Sequence, residues 1–237
     1  MRKPNIRMIK ENDAIIKMIQ DAPTTWISTD WHAVKFDKQT KAISKREEYD
    51  AIKKACSVIK PDDVWIYLGD IIDSEIQRKE TITEVLDCVN TEKRILLLGN
   101  NDRFESYDKW FTYVENVILL PEDHAVLSHC PIPNDERINI HGHIHVHEPG
   151  YGTAGAYWKM YDINPDNHVN AFTYPHKPVS LEVLLKRKPS CYVQRIQGMR
   201  GKPYTQDLVN NEIHDYDVLR KHYDRIEEDM RDVALKG

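Results

Sequence analysis

The chain has 237 residues, of which 41% are hydrophobic and 30% charged, so it is long enough to form one large domain around a buried core. Its formal net charge of −5 excludes the broadly basic surface that tight, non-specific binding to duplex DNA requires. No stretch approaches the ~18 apolar residues of a transmembrane helix, and residues 1–20 lack a secretory signal, so we expect a cytoplasmic protein without membrane contact.

Short apolar runs alternate with helical patterns along the chain. The predicted elements, in order, are a helical lead-in at 1–22, a strand at 26–29, a helix from a capping box at 44–47 to residue 59, a strand at 64–68, a helix within 75–89, and strands at 95–98, 125–128, 138–140, 169–174 and 179–185. Buried runs between helices predict an α/β sheet that is covered on both faces.

The composition changes after residue 185. Residues 186–202 carry six basic side chains and no acidic one. Residues 207–232 are mixed in charge, with apolar residues at the spacing of an amphipathic helix. We therefore predict a main domain over 1–185, followed by a basic segment and a C-terminal helix over 186–237. That helix packs on the domain or joins two copies in a homo-oligomer.

Five motifs rich in carboxylate, amide and imidazole groups each follow a predicted strand. They are Asp30-x-His32, Gly69-Asp70, Gly99-Asn100-Asn101-Asp102, His129 and Gly142-His143-Ile144-His145. Open α/β sheets bind ligands at the carboxyl ends of their strands, so these motifs are expected to meet in one crevice. Oxygen and imidazole donors without a thiolate suit Mn²⁺, Fe or Zn²⁺. The pattern predicts a site for divalent metal ions.

The spacing within these motifs has a mechanical reason. Two side chains separated by one residue beyond a strand lie on the same side, so Asp30 and His32 can reach one ion. A carboxylate such as Asp70 has two oxygens and can bridge two ions. Two-metal centres hold a phosphate group and lower the pKa of bound water toward neutrality. The pattern therefore favours hydrolysis of a phosphate ester.

The ordered set resembles the calcineurin-like metallophosphoesterase superfamily, whose pattern is D-x-H, G-D, G-N-H-D/E, H and G-H-x-H. The resemblance covers residues 26–185, with intervals of about 40, 30, 30 and 14 residues between motifs. The short last interval is similar to the compact prokaryotic and phage members. The resemblance implies a four-layer αββα sandwich and hydrolysis by a metal-bound hydroxide at two divalent ions, with Mn²⁺ expected first and Fe or Zn²⁺ as alternatives.

The resemblance also implies two sets of metal ligands that share one bridging carboxylate, that of Asp70. The first set is Asp30, His32, Asp70 and His145, and the second is Asp70, Asn100, His129 and His143. Ser128 and His141 are candidates for residues that fix the orientation of the ligands.

The sequence departs from the family pattern at Asn101, where members usually carry a histidine that can protonate the leaving oxygen. An amide can donate a hydrogen bond to a developing oxyanion but cannot deliver a proton at neutral pH. Asn100 and Asn101 are the candidate catalytic residues. Asn101 and Arg103 are the candidate contacts to the substrate phosphate.

The substrate class is left with alternatives. A phosphodiester is favoured over a monoester because the compact branch contains many small diesterases, and the substrate is expected to be a phosphorylated small molecule or a nucleotide. One alternative is a nuclease or nucleotide-processing enzyme, with residues 151–158 and 186–202 holding single-stranded nucleic acid. Another is a catalytically weak metal-binding module that interacts with a partner.

Overall fold

The computed structural model describes residues 6–36, 43–45, 49–72, 79–102, 107–132, 136–143, 167–173 and 176–187. The helices are α1 (Ile6–Gln20), α2 (Tyr49–Cys56), α3 (Lys79–Leu86) and α4 (Leu181–Leu185). The strands are β1 (Thr25–Ser28), β2 (Val34–Phe36), β3 (Ile43–Lys45), β4 (Val64–Tyr67), β5 (Arg94–Leu97), β6 (Tyr113–Glu115), β7 (Val117–Leu120), β8 (Ala125–Ser128), β9 (Ile138–His141), β10 (His168–Asn170) and β11 (Val179–Ser180). None of these helices is long and apolar enough to cross a membrane.

The described strands form two large sheets and one short antiparallel pair, β2 with β3. The first sheet has the order β11-β1-β4-β5-β6, in which only β11 runs antiparallel. The second has the order β10-β9-β8-β7, in which β7 runs antiparallel to β8. The parallel strands of each sheet therefore end at a common edge, where α/β proteins place their ligands.

The main core lies between the two sheets. Ile27 and Ile66 of the first sheet share one buried cluster with Ile118, Leu127 and Ile140 of the second. Every residue of β4 is buried, because this strand is covered on both faces. Burial of these apolar side chains holds the two sheets together and fixes where their strand ends meet.

A second core covers the outer face of the first sheet. Trp65 and Tyr67 of β4 pack there with Ile52 of α2 and Ile82 of α3. The ring of Trp31 lies 5.4 Å from that of Trp65 and 4.9 Å from that of Tyr67. Helices and two facing sheets confirm the predicted α/β metallophosphoesterase sandwich.

Helix α1 lies within residues 1–22, where the helical lead-in is expected, and closes one edge of the second sheet. The Asn12 side-chain amide donates to the carbonyl of Leu119 at 3.2 Å, and the Leu119 N–H donates to the Asn12 Oδ1 at 3.0 Å. Ile15, one turn further along, is buried in the core between the sheets. The pairing leaves less of the edge strand β7 open to another chain.

Two predictions of secondary structure are wrong. Residues 179–185 form only two strand residues and then α4, because the Ser180 hydroxyl caps the helix by accepting from the Val183 N–H. The spacing of the buried Leu181 and Leu184 is that of a helix face. Residues 44 and 45 belong to β3, and the following helix begins at Tyr49. The predicted C-terminal helix lies outside the described residues.

Candidate metal centre

The loops that follow β1 and β4 run side by side. The Asp30 N–H donates to the Gly69 carbonyl at 3.0 Å, and the His32 N–H donates to the Asp70 carbonyl at 3.1 Å. These bonds continue the pairing of the two strands beyond their ends. As a result, ligand atoms of Asp30, His32 and Asp70 all lie within 4.8 Å of one another.

Trp31 anchors the first of these loops in the core. The backbone N–H of Trp31 donates to the Tyr67 hydroxyl at 2.6 Å, and the Trp31 ring is fully buried. The two flanking side chains, Asp30 and His32, are thereby turned away from the core and into the crevice. A buried aromatic residue thus separates two polar ones in the Asp-x-His motif.

Four of the predicted ligands have a left-handed backbone conformation. The φ angles are 52° at Asp30, 38° at His32, 61° at Asp70 and 63° at His143. Such angles are uncommon for residues other than glycine, and each costs about 1–3 kcal/mol. Strain of this kind is concentrated at functional sites, where the surrounding structure holds it in place.

The Asp70 carboxylate lies between two histidines. Its Oδ2 is 3.7 Å from the His32 Nε2 and 3.5 Å from the His129 Nε2. Asn101 donates to both of its oxygens, through the backbone N–H at 2.9 Å and the side-chain amide at 2.8 Å. The Asn101 side chain therefore holds the Asp70 carboxylate in place.

His129 presents a defined nitrogen to the crevice. Its Nδ1–H donates to the Leu68 carbonyl at 2.6 Å, so the Nε2 has a lone pair directed at the site. The Nε2 lies 2.9 Å from the Asn100 Oδ1 and 3.2 Å from the His143 Nδ1. These separations suit ligands on one cation, since metal–nitrogen and metal–oxygen bonds are about 2.0–2.2 Å long. The donor set therefore fits a divalent metal.

The loop after β9 packs directly on the loop after β1. The His143 N–H donates to the Asp30 Oδ2 at 2.8 Å, and the Thr29 hydroxyl donates to the same oxygen. A Cβ atom on Gly142 would overlap the Thr29 hydroxyl and the Asp30 carboxylate. Glycine is required here by this close approach, which joins the ligand loops of the two sheets.

Ser128 and His141 hold the backbone beside the ligands. The Ser128 hydroxyl donates to the Cys130 carbonyl at 2.7 Å and accepts from the Asn139 side-chain amide at 2.8 Å. The His141 Nδ1–H donates to the Gly142 carbonyl at 2.8 Å. Both side chains are thus bonded beside the ligands, and their role in orienting the ligands stays a prediction.

The neutral state of His141 leads to a prediction about stability and pH. Burial lowers the pKa of His141 to about 4 in the folded protein, below its ordinary value. Its contribution to stability is therefore complete above about pH 6.5 and is lost as the pH falls toward 4, a total of about 3 kcal/mol, of which about 2 kcal/mol falls between pH 7.5 and 5. Urea unfolding with a chelator present, at about pH 7.5 and about pH 5, measures it. We expect the wild-type protein to lose more free energy of unfolding than His141→Gln; equal losses would contradict the assignment.

Asp102 belongs to the third motif but is not among the predicted ligands, and it ties two ligand loops together. Its Oδ2 accepts from the Asp70 N–H at 2.8 Å and from the Gly99 N–H at 2.9 Å. Burial, followed by the charge of Asp70, raises the pKa of this carboxyl to about 6. Its place at the end of the Gly-Asn-Asn-Asp motif indicates that Asp102 lies near the site, but the motif does not show which backbone groups it binds.

We expect Asp102→Ala to lower metal affinity by about 10- to 100-fold, the range for outer partners of metal ligands. Asp102→Asn keeps an oxygen acceptor and should recover most of that loss. Calorimetric metal titration, with thermal melting of each variant, measures the effect. Asp63→Ala is a matched control, because Asp63 is a buried aspartate that accepts from the Trp26 indole and the Lys60 N–H. A loss of stability without a loss of metal affinity in Asp102→Ala would contradict the role.

Two predicted site residues, His145 and Arg103, lie outside the described residues. Of the first predicted ligand set, the structure therefore describes three members, Asp30, His32 and Asp70. In the second set the structure brings together all four residues: Asp70, Asn100, His129 and His143.

The chain was compared with family models, curated proteins and solved structures. The model of the calcineurin-like phosphoesterase family matches residues 23–219. A protein of unknown function from Aquifex aeolicus is 21% identical, with 68% of this chain and 97% of that chain covered and a TM-score of 0.45. The nuclease MPE from Pseudomonas putida is 19% identical, with 51% of this chain and 61% of that chain covered and a TM-score of 0.35. No curated protein matches the sequence.

The carboxylate, amide and imidazole groups gathered at these strand ends are donors of the kind that hold divalent metal ions. The chain belongs to the calcineurin-like phosphoesterase family. It is accordingly an enzyme that hydrolyses phosphate esters with the help of divalent metal ions.

Proposed function

We propose that the chain hydrolyses phosphodiesters at a two-metal centre bridged by Asp70. The observation that carries the proposal is the position of the Asp70 Oδ2, 3.7 Å from one histidine nitrogen and 3.5 Å from another. The first histidine, His32, belongs to the group with Asp30, and the second, His129, belongs to the group with Asn100 and His143. A carboxylate between two donor groups is what a bridging ligand requires.

The two donor groups suit hard or borderline cations. Asp30, His32 and Asp70 would hold the first ion, with His145 as the further ligand implied by the family pattern. Asp70, Asn100, His129 and His143 would hold the second. Bound divalent ions would neutralise phosphate charge and activate water for attack on phosphorus. Oxygen and imidazole donors of this kind favour Mn²⁺, with Fe or Zn²⁺ as alternatives.

The residues of the chain position the ester and the ligands. The Asn100 Oδ1 faces His129, which leaves the amide nitrogen of the same side chain to donate to a phosphate oxygen. Asn101 holds both oxygens of Asp70 through its two donors. Because position 101 carries no imidazole, the leaving oxygen receives no proton from there. Esters with good leaving groups are therefore the expected substrates, among phosphorylated small molecules and nucleotides.

The proposal is tested with three substrates and added Mn²⁺: bis-p-nitrophenyl phosphate, p-nitrophenyl phosphate and a single-stranded oligonucleotide. We expect kcat/KM to be highest for the diester. The control is the variant His32→Ala, purified in the same way, whose remaining activity measures the contribution of a contaminating enzyme. Faster hydrolysis of the monoester would overturn the diester preference. Faster cleavage of the oligonucleotide would favour the nuclease alternative. Metal binding without turnover of any of the three would leave the binding-module alternative.

A further inference from the structure

A buried cysteine lies beside two of the proposed metal ligands. Cys130 directly follows His129, and its side chain is fully buried. Its sulfur, a ring nitrogen of His129 and a ring nitrogen of His143 all lie within 4.8 Å of one another. Two nitrogens and one sulfur at this spacing form a candidate site for a metal ion, and this one contains the thiol that the sequence analysis left out of the donor set.

The segment that carries Cys130 is held on both sides. The Ser128 hydroxyl donates to the Cys130 carbonyl at 2.7 Å. The Gly142 N–H donates to the His129 carbonyl at 2.9 Å, which ties this segment to the loop of His143. These bonds therefore hold the backbone segments that carry the three side chains next to one another. A preformed group of donors of this kind loses little conformational freedom when it binds an ion.

We propose that the Cys130 sulfur is a ligand of the second metal ion, together with His129 and His143. The proposal rests on the proposed function in placing a cation at the two histidines. Binding of the ion displaces the proton of the thiol to solvent, and the sulfur then donates an electron pair to the metal. Thiolate ligands favour Zn²⁺ or Fe²⁺ over Mn²⁺. With the added thiolate, the second site therefore prefers a softer ion than the first site, whose donors are carboxylate and imidazole groups alone.

Cobalt titration of the purified full chain tests the proposal directly, because a sulfur ligand gives Co²⁺ a charge-transfer absorption band in the near ultraviolet. We expect the band in the wild-type protein and its loss in Cys130→Ser, which keeps nearly the same volume. Cys88→Ser is the matched control, since Cys88 packs against the cluster around α2 and α3, and it should keep the band. A wild-type protein without the band, or a band that persists in Cys130→Ser, would overturn the proposal.

A second measurement does not depend on whether a variant folds. X-ray absorption of the wild-type protein loaded with zinc should show a metal–sulfur distance of about 2.3 Å beside metal–nitrogen distances of about 2.0–2.1 Å. A spectrum with nitrogen and oxygen neighbours alone would refute the sulfur ligand. Competition between Zn²⁺ and Mn²⁺ should show a zinc preference that falls by at least about 10-fold in Cys130→Ser.

The same samples separate this proposal from the proposed function. Hydrolysis of bis-p-nitrophenyl phosphate without a sulfur–metal signal would support the function and overturn the sulfur ligand. A sulfur–metal signal without hydrolysis would support the ligand and count against the function.

Discussion

Asp70→Asn is expected to lose metal from both sites and to lower kcat/KM by more than about 100-fold. Removal of a residue that only orients a metal ligand costs up to about 100-fold, and loss of a ligand should cost more. In the wild-type protein the Asp70 Oδ2 lies 3.7 Å from the His32 Nε2 and 3.5 Å from the His129 Nε2. An amide has one oxygen and no charge, so it cannot bridge two cations as a carboxylate does. Metal analysis of the purified variant, beside steady-state kinetics, measures both effects.

Two single-site variants provide the comparison for Asp70→Asn. His32→Ala should mainly weaken the first site and His129→Ala the second, because each removes a nitrogen from one group. Metal content in these variants should fall toward one ion per chain. Undiminished occupancy of two ions in Asp70→Asn would refute the bridging assignment. Loss of both ions in each histidine variant would show instead that the sites fill together.

Asn101→His should increase the hydrolysis of alkyl esters more than that of p-nitrophenyl esters, by up to about 10²–10⁴-fold. p-Nitrophenolate is a stable leaving group that needs little protonation, whereas an alkoxide needs a proton. The wild-type side chain donates to the Asp70 Oδ2 at 2.8 Å, so the new ring must reach the leaving oxygen without losing the hold on that carboxylate. The measurement is kcat/KM for both classes of ester, with metal content determined for each protein.

The control for this substitution is Asn101→Ala, which removes the side-chain bond to Asp70 but adds no acid. We expect Asn101→Ala to lower metal affinity and to slow both classes of ester alike. If Asn101→His at full metal occupancy also changes both classes equally, residue 101 does not serve the leaving group. Its role would then be confined to the contact with Asp70 that the structure shows.

Much of the fold could be predicted because the strands are short, apolar and followed at once by polar residues. The strands Val64–Tyr67 and Ala125–Ser128 are buried, and Gly69-Asp70 and His129 lie at their carboxyl ends. Position at a strand end is a local property, so the sequence carries it directly. Residues 179–185 were assigned wrongly because an apolar run of that length fits a strand or a helix, and the Ser180 cap decides between them.

The parts of the site that could not be predicted depend on contacts between distant loops. Asp102 accepts from the backbone of Asp70, 32 residues earlier, and a sequence pattern does not contain that contact. Trp31 likewise stands at the unspecified position of the Asp-x-His motif. The bond from its backbone N–H to the Tyr67 hydroxyl nevertheless attaches that motif to the core. Cys130 is one residue from a predicted ligand, but only the packing of its loop shows how near its sulfur lies to His143.

The left-handed backbone at Asp30, His32, Asp70 and His143 has a consequence for efforts to improve this enzyme. Glycine adopts such φ angles without strain, so replacement by glycine would relieve about 1–3 kcal/mol of backbone strain, against the loss of side-chain hydrogen bonds at Asp30 and Asp70. A screen for heat resistance carried out without metal would therefore enrich variants that have lost their ligands. Directed evolution of this chain needs a selection for turnover beside the one for heat resistance, because four of the six described non-glycine residues with a left-handed φ are proposed metal ligands.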